Sequence, residues 1–122
     1  MAAASAVARA RIVNHNINVQ EDKEVKTPKV LKAGERLHFS SRDGRFRIEF
    51  PEAWPFTKPH SSNGAQFQKS IGSRFYKADK LWRSKKLILV NGKEAKFNCF
   101  MRNLGGPFRS LEYGGEINPR GK

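Results

Sequence analysis

Cysteine, methionine and histidine are the side chains of this sequence that could hold a copper ion. Cys99 is the single cysteine, and Met101 follows it two residues later. The three histidines are His15, His38 and His60. A thiolate, a thioether and imidazoles together form a ligand set that suits copper. A single cysteine excludes an internal disulfide and every multi-cysteine zinc motif, and the histidine spacings fit no zinc pattern.

The same cysteine also fits a structural interpretation. Phe97, Cys99 and Met101 alternate along the chain, as residues on the inward face of a β-strand do. Cysteine is among the residue types most often found buried. We therefore predict that Cys99 and Met101 lie in the core and that the protein holds no cofactor. A copper site formed by Cys99, Met101 and either His60 or His38 is the alternative.

The sequence contains few of the motifs that are typical of enzymes. It contains no Gly-x-Ser-x-Gly motif, no phosphate-binding glycine loop and no His-Glu-x-x-His motif. Glu49 and Glu52 could act as an acid and base pair, but Glu49 falls on the polar side of a predicted strand beside Arg47. Ion pairing is the ordinary role of such a carboxylate. We therefore predict a protein without catalytic activity.

Positive charge is the strongest functional signal in the sequence. The chain has 122 residues, with 24 Lys and Arg against 11 Asp and Glu, which gives a net charge of +13. Residues 69–86 hold seven Lys and Arg and one acidic residue, Asp79, for a local net charge of +6. Such a field favours an anionic partner, although a solvated face that keeps a domain soluble has the same composition. The candidate anion-binding residues are Lys69, Arg74, Tyr76, Lys77, Lys80, Arg83, Lys85 and Lys86.

We predict that this basic stretch contains a short helix around residues 70–83. At about 100° per residue, its apolar side chains share one sector of a helical wheel, and basic side chains with a tyrosine share the opposite sector. The apolar set is Ile71, Phe75, Ala78 and Trp82, and the opposite set is Lys69, Tyr76, Lys80 and Arg83. A cationic stripe with an aromatic ring is typical of proteins that bind single-stranded nucleic acid.

Much of the remaining chain has the alternating pattern of β-strands. Residues 36–41 and 45–50 alternate apolar and polar side chains on the two sides of Asp43-Gly44, and residues 95–101 alternate after Asn91-Gly92. Both dipeptides favour the tight turns of β-hairpins, because glycine accepts a positive φ. We therefore predict a hairpin at each dipeptide.

A long loop lies between the first predicted hairpin and the basic stretch. Residues 51–65 hold three prolines and carry Trp54 and Phe56. Loops of this length without regular structure often have a functional role. A flap packed against one end of a sandwich is the commoner structure for such a loop. As a candidate partner-contact loop, it is predicted to expose Trp54 and Phe56 to a neighbouring molecule.

The order of these segments resembles that of a cupredoxin-like β-sandwich over residues 11–118. The likeness lies in the hairpin LHFSSRDGRFRIEF, the proline-rich loop, a short helix, the strand ending in FNCFM and the segment YGGEI. The resemblance implies an all-β, antiparallel Greek-key β-sandwich with one short helix around 70–83. In that family a cysteine in the position of Cys99 binds copper together with two histidines and a weak axial thioether.

The sequence departs from the copper-binding pattern of that family. No histidine follows Cys99, and residues 45–47, where the first histidine ligand is expected, read Arg-Phe-Arg. Met101 lies too close to Cys99 in the sequence to serve as the usual axial ligand. The resemblance therefore implies the fold without the electron-transfer function.

We predict a flexible N-terminal lead at residues 1–10, a single domain at 11–118 and a C-terminal tail at 119–122. No apolar stretch approaches the ~18 residues of a membrane span and no signal peptide is readable, so we expect a soluble protein. The predicted function is a non-catalytic binding module that docks an anionic partner, which is nucleic acid, an acidic protein or another polyanion. The alternatives are a copper-binding or redox protein with a non-standard site, and a structural or assembly subunit.

Overall fold

A computed structural model gives the fold of residues 13–57, 70–90, 92, 94–102 and 105–120. Within these ranges the regular secondary structure consists of twelve short β-strands, so the predicted all-β class is confirmed. The strands are β1 Asn14–Asn18, β2 Leu31–Lys32, β3 Arg36–Ser41, β4 Arg45–Glu49, β5 Ser70–Gly72, β6 Arg74–Tyr76, β7 Leu81–Arg83, β8 Leu87–Ile88, β9 Ala95–Arg102, β10 Arg109–Ser110, β11 Gly115–Ile117 and β12 Pro119–Arg120.

The first sheet has the strand order β1, β3, β7 and β6, with β8 also paired to β3. β1 lies parallel to β3, whereas the other pairs are antiparallel. β7 and β8 pair with two successive parts of β3, at residues 40–41 and 36–37 respectively. The chain therefore leaves the ladder at residues 84–86 and then returns to it.

The second sheet is antiparallel, with the strand order β10, β9, β4 and β5 and with β11 also paired to β9. Along β9 every second side chain is buried, as the alternation predicted. These inward side chains are Ala95, Phe97, Cys99 and Met101. A separate short ladder joins β12 to β2 in parallel. Because β1–β3 and β2–β12 are parallel, the prediction of a wholly antiparallel structure is wrong.

The two sheets contribute aromatic side chains to a common core. Phe39 of β3 and Phe97 of β9 lie edge to face with their ring centroids 5.4 Å apart. Phe50, directly after β4, lies 5.5 Å from Phe97. All three rings are almost completely buried. Two sheets that meet through such a core are consistent with a β-sandwich.

The helix predicted around residues 70–83 is wrong, because this stretch forms β5, β6, a turn at 77–80 and β7. Its apolar residues do not share one environment, since Ile71 is buried whereas Phe75 is 45% exposed. Phe75 and Trp82 instead face each other across two antiparallel strands, with their rings 5.3 Å apart. Their spacing of seven residues therefore comes from a hairpin and not from two helical turns.

The two predicted hairpins are wrong in their hydrogen bonding. β3 and β4, on the two sides of Asp43-Gly44, lie in different sheets and pair with other strands. The same is true of β8 and β9, on the two sides of Asn91-Gly92. Both connections therefore cross from the first sheet to the second. Alternation and turn residues predict where strands begin and end, but not which strands pair.

Two serine side chains fasten the β6–β7 hairpin to the core strands. Ser73 lies where the chain crosses from β5 to β6, and its hydroxyl accepts from Phe46 N at 2.9 Å and donates to Phe46 O at 3.0 Å. Ser84 follows β7, and its hydroxyl accepts from Phe39 N at 2.9 Å and donates to Lys85 O at 2.9 Å. These bonds satisfy backbone groups that the interrupted ladders leave unpaired.

The ends of the predicted domain are only partly covered by the structure. Residues 1–10, predicted to be a flexible lead, lie outside the described residues. At the other end Pro119 is buried and β12 pairs with β2, so part of the predicted tail packs against the domain. Over the described ranges, no helix has the length and hydrophobicity that a membrane span requires.

Candidate anion-binding surface

The β6–β7 hairpin brings four of its side chains to one face. Residues directly opposite each other in an antiparallel pair point to the same side of the sheet. Arg74 is opposite Arg83, and Tyr76 is opposite Leu81. The other face of the hairpin carries the aromatic pair described above. Two arginines and the tyrosine of the predicted site are therefore neighbours, although the predicted helix is absent.

The turn between β6 and β7 presents two lysines to solvent. Lys80 N donates to Lys77 O at 3.3 Å, which closes the turn. Lys80 has a φ of 56°, a left-handed conformation that glycine would adopt more readily. Lys77 and Lys80 are both exposed. The tip of the hairpin is therefore positively charged.

Arg83 is oriented by two partners within the hairpin. Its guanidinium lies over the ring of Tyr76, 4.7 Å from the centroid, and its Nη2 donates to the carboxylate of Asp79. A cation over an aromatic ring is attracted by the negative ring face, which is worth roughly 0.5–1 kcal/mol at an exposed site. Because the guanidinium packs on the ring, the plane of Tyr76 is defined before any partner binds.

A cleft of about 300 Å³ opens between β5 and the hairpin. Its lining residues are Ile71, Gly72, Ser73, Arg74, Tyr76, Arg83 and Lys85. Three of these side chains are cations and none is a carboxylate, so the electrostatic potential in the cleft is positive. The cleft is therefore suited to an anionic group.

The hairpin face continues across the outer face of the first sheet, which is the side turned away from the core. Leu37 and Phe39 of β3 point inward, so the alternate residues of β3 point outward. The outward side chains are Arg36, His38 and Ser40 of β3 and, in register with them, Asn14, Asn16 and Asn18 of β1. Ser40 is opposite Arg83 in the next strand and is only 5% exposed, so it links the two strands from beneath the surface.

His38 lies beside the cations of β7 and of the segment that follows it. Partial burial, together with the charges of Arg83 and Lys86, lowers the pKa of His38 below its ordinary value. The imidazole is therefore neutral at neutral pH. Among the described residues, the buried side-chain nitrogen and oxygen atoms without a hydrogen-bond partner are His38 Nδ1 and Arg83 Nε. Both atoms lie beneath the surface, where the packing of this face leaves polar groups unpaired.

We refer to this continuous surface as the basic face. It consists of Asn14, Asn16, Asn18, Arg36, His38, Ser40, Arg74, Tyr76, Arg83, Lys85 and Lys86. Of the predicted anion-binding residues, Lys77 and Lys80 lie at the hairpin tip, and Lys69 lies outside the described residues. The concentration of charge at residues 69–86 did not indicate that residues of β1 and β3 belong to the same surface. The alternation of residues 36–41 is consistent with an outward His38, but the strands beside β3 were not predicted.

A second group of arginines, Arg47 and Arg102, packs against aromatic rings beside the second sheet. On β4, Arg47 Nε donates to Glu49 Oε2 at 2.8 Å. The same guanidinium lies 4.8 Å from the ring centroids of both Phe100 and Phe108. Arg102 also lies over Phe108, at 5.3 Å. These contacts pack one side of the second sheet, and they account for Arg47 without an external partner.

A second cleft, of about 350 Å³, has the opposite electrostatic character. Its lining residues are Glu24, Val25, Thr27, Lys96, Gly114, Gly115 and Glu116. Glu116 hydrogen-bonds to Glu94, and this contact raises the pKa of Glu116. Two carboxylates so close together disfavour an anion at this end of the molecule.

Cys99 and Met101 lie in the core, at 1% and 0% exposed. Burial raises the pKa of the Cys99 thiol to about 12, which disfavours the thiolate that copper would need. His15 and His38 lie on strands of the first sheet, and His60 lies outside the described residues. No three His, Cys, Asp or Glu side chains within the described ranges are placed to hold a metal ion. The described residues therefore do not fit a copper centre of the kind that the resemblance implies.

The predicted partner-contact loop is largely part of the core where the structure describes it. Phe56 is 4% exposed, and its ring lies 5.5 Å from Phe50 and 5.1 Å from Trp54. Trp54 is half-buried against the same core. The prediction that Phe56 is exposed is therefore wrong, because the loop folds back and fills the space beside β4.

Comparisons with protein-family models, with curated protein sequences and with solved structures found no match for this chain. The functional argument therefore rests on the geometry and charge of the basic face.

Proposed function

We propose that this protein is a non-catalytic binding module that docks an anionic macromolecule on its basic face. The observation that carries the proposal is the convergence of cations from separate parts of the chain on one side of the first sheet. Arg36 comes from β3, Arg74 and Arg83 come from the hairpin, and Lys85 and Lys86 follow it. Cations grouped in this way focus the field and speed the arrival of an anionic partner.

Two details of the basic face favour a binding role over a purely solubilising one. A cation that serves only solubility needs no fixed position. Arg83 is instead half-buried, packed on Tyr76 and bonded through Nη2 to Asp79. The arginine is thus held in a defined position before a partner binds, as expected for a recognition residue.

Removing exposed cations of the basic face is expected to weaken polyanion binding. For the triple variant Arg74→Ser, Lys85→Ser and Lys86→Ser we expect affinity for heparin at low salt to fall about tenfold or more. Each lost contact is also expected to reduce the slope of log affinity against log salt concentration by about 0.7 to 0.9, because fewer counterions are released. The measurement is the anisotropy of fluorescent heparin across roughly 50–200 mM salt.

The matched control removes the same number of positive charges elsewhere. The control variant carries Lys23→Ser, Lys26→Ser and Lys29→Ser. These three exposed lysines lie between β1 and β2 and do not belong to the basic face. The net charge of the two variants is identical, so general attraction falls equally in both. If both variants lose the same affinity and the same salt slope, binding follows net charge alone and the proposal fails.

Anion binding is also expected to tighten as the pH falls through the titration of His38. In the free protein the pKa of His38 is lowered by burial and by the charges of Arg83 and Lys86. An anion bound beside these cations would favour the protonated imidazole and raise that pKa. Binding then takes up a proton. As the pH falls from the pKa of His38 in the complex to its pKa in the free protein, affinity therefore rises by at most about tenfold per pH unit.

This pH dependence can be assigned with two histidine variants. Heparin affinity is measured at constant ionic strength between about pH 7.5 and pH 5. His38→Gln is expected to remove most of the dependence. His15→Gln is the control, because His15 Nε2 lies 2.8 Å from Glu35 Oε1 and is already partnered. A profile that His38→Gln leaves unchanged would exclude His38 as the titrating group.

A further inference from the structure

We infer that the anionic partner of the basic face is single-stranded nucleic acid, with Tyr76 as the platform on which a base stacks. This inference rests on the proposed function and narrows it to one class of macromolecule. An acidic protein or a sulfated polysaccharide offers mainly charge, whereas a single strand offers charge together with unpaired bases. The basic face carries groups suited to both.

Tyr76 has the surroundings of a stacking platform. It is 39% exposed and lies on β6, at one edge of the first sheet. Arg74 and Lys85 line the same cleft, where they can bind the phosphates on each side of a stacked base. The guanidinium of Arg83 packs on the ring at 4.7 Å and orients it in advance. An aromatic ring that is already oriented loses less side-chain entropy when it stacks on a base.

Asparagine side chains extend the basic face on the side opposite Tyr76. Asn14, Asn16 and Asn18 are exposed at alternate positions of β1, which places them about 6.6 Å apart along the strand. A carboxamide both donates and accepts hydrogen bonds, so it can pair with the edge of an unpaired base. Ser40 Oγ donates to Asn16 Oδ1 at 2.8 Å, which leaves the amide hydrogens of Asn16 to donate.

The order of these groups across the sheet fits an extended strand of nucleotides. The amides lie on β1, the cations and His38 lie on the central strands β3 and β7, and Tyr76 lies on β6. Four strands at a spacing of about 4.8 Å separate the two edges by about 14 Å, a distance that a few nucleotides can cross. Phosphates would therefore lie over the cations, with bases at both edges. A duplex keeps its bases paired and could not use the tyrosine in this way.

The test compares Tyr76→Ala with wild type on polyanions with bases and on polyanions without them. Affinity for short single-stranded oligothymidine, measured by fluorescence anisotropy, is expected to fall roughly fivefold to a hundredfold, the effect of losing one base stack. Affinity for heparin and for inorganic polyphosphate, measured by competition, is expected to change by less than about twofold, because these ligands have no base to stack. Tyr76→Phe keeps the ring and is expected to bind oligothymidine like wild type.

Phe75→Ala is the matched control, since Phe75 is a similarly exposed aromatic residue on the opposite face of the same strand. It is expected to leave oligothymidine affinity unchanged, and thermal melting checks that each variant is folded. If Tyr76→Ala weakens heparin as much as oligothymidine, or if duplex DNA binds better than the single strand, the inference is overturned while the proposed function stands. If no polyanion distinguishes the basic-face variant from its charge-matched control, both fail.

Discussion

Replacing Phe97 with alanine is expected to lower the free energy of unfolding by about 3–5 kcal/mol. Phe97 is 2% exposed, and its ring meets those of Phe39 and Phe50 between the two sheets. The substitution opens a cavity that the surrounding strands fill only in part. Domains are stable by only roughly 5–15 kcal/mol in total, so the melting temperature should fall by about 10–20 °C.

Urea and thermal denaturation followed by circular dichroism measure this effect. Phe75→Ala removes an identical side chain that is 45% exposed, and it is expected to cost about 1 kcal/mol or less. Phe97→Leu keeps part of the buried volume and serves if the alanine variant does not fold. Equal losses for Phe75→Ala and Phe97→Ala would show that the sheets do not pack through Phe97.

The core of this fold was largely predictable from alternation alone. Residues 36–41 and 45–50 were predicted to alternate, and their apolar members Leu37, Phe39, Phe46 and Ile48 are all fully buried. The prediction succeeds because side chains alternate along a strand, and a shift of one residue would expose the whole apolar set. Alternation therefore identifies the inward residues even where the pairing of the strands is unknown.

The pairing of the strands was not predictable, because turn residues show where a strand ends but not which strand it pairs with. Asp43-Gly44 and Asn91-Gly92 mark connections, but in both cases the chain continues in the other sheet. A hairpin and a crossing between sheets use the same turn residues and the same alternation. Which of them forms depends on the rest of the core, including the β4–β9 pairing, which joins segments far apart in the sequence.

The helix was predicted for a related reason. Ile71, Phe75 and Trp82 have helical spacing, but short strands joined by a tight turn produce the same spacing. The left-handed Lys80 completes such a turn without glycine, so the usual sequence signal for a hairpin is missing.

The basic residues of the site could be found from composition because charge density is visible in a sequence. His38, Arg36 and the asparagines join them only through the β1–β3–β7 register.

Gly114→Ala is the second substitution for which we expect a large effect, a loss of about 3 kcal/mol or more in the free energy of unfolding. A Cβ atom at this position would overlap the carbonyl oxygen of Phe97, which belongs to the backbone of β9 and cannot rotate away. Gly114 leads directly into β11, so relieving the overlap means separating β11 from β9. That movement would also disturb Ile117, which is fully buried at the end of β11.

Gly72→Ala is the matched control, because a Cβ atom at Gly72 meets nothing within 4 Å. It is expected to change stability by no more than about 0.5 kcal/mol, or to stabilise slightly by restricting the unfolded chain. If Gly114→Ala melts like wild type, the close approach of β11 to Phe97 is wrong. Gly114 lines the second cleft, together with Glu24 and Glu116, and is not on the basic face. Its substitution should therefore reduce the folded fraction, while the molecules that remain folded keep wild-type affinity for polyanions.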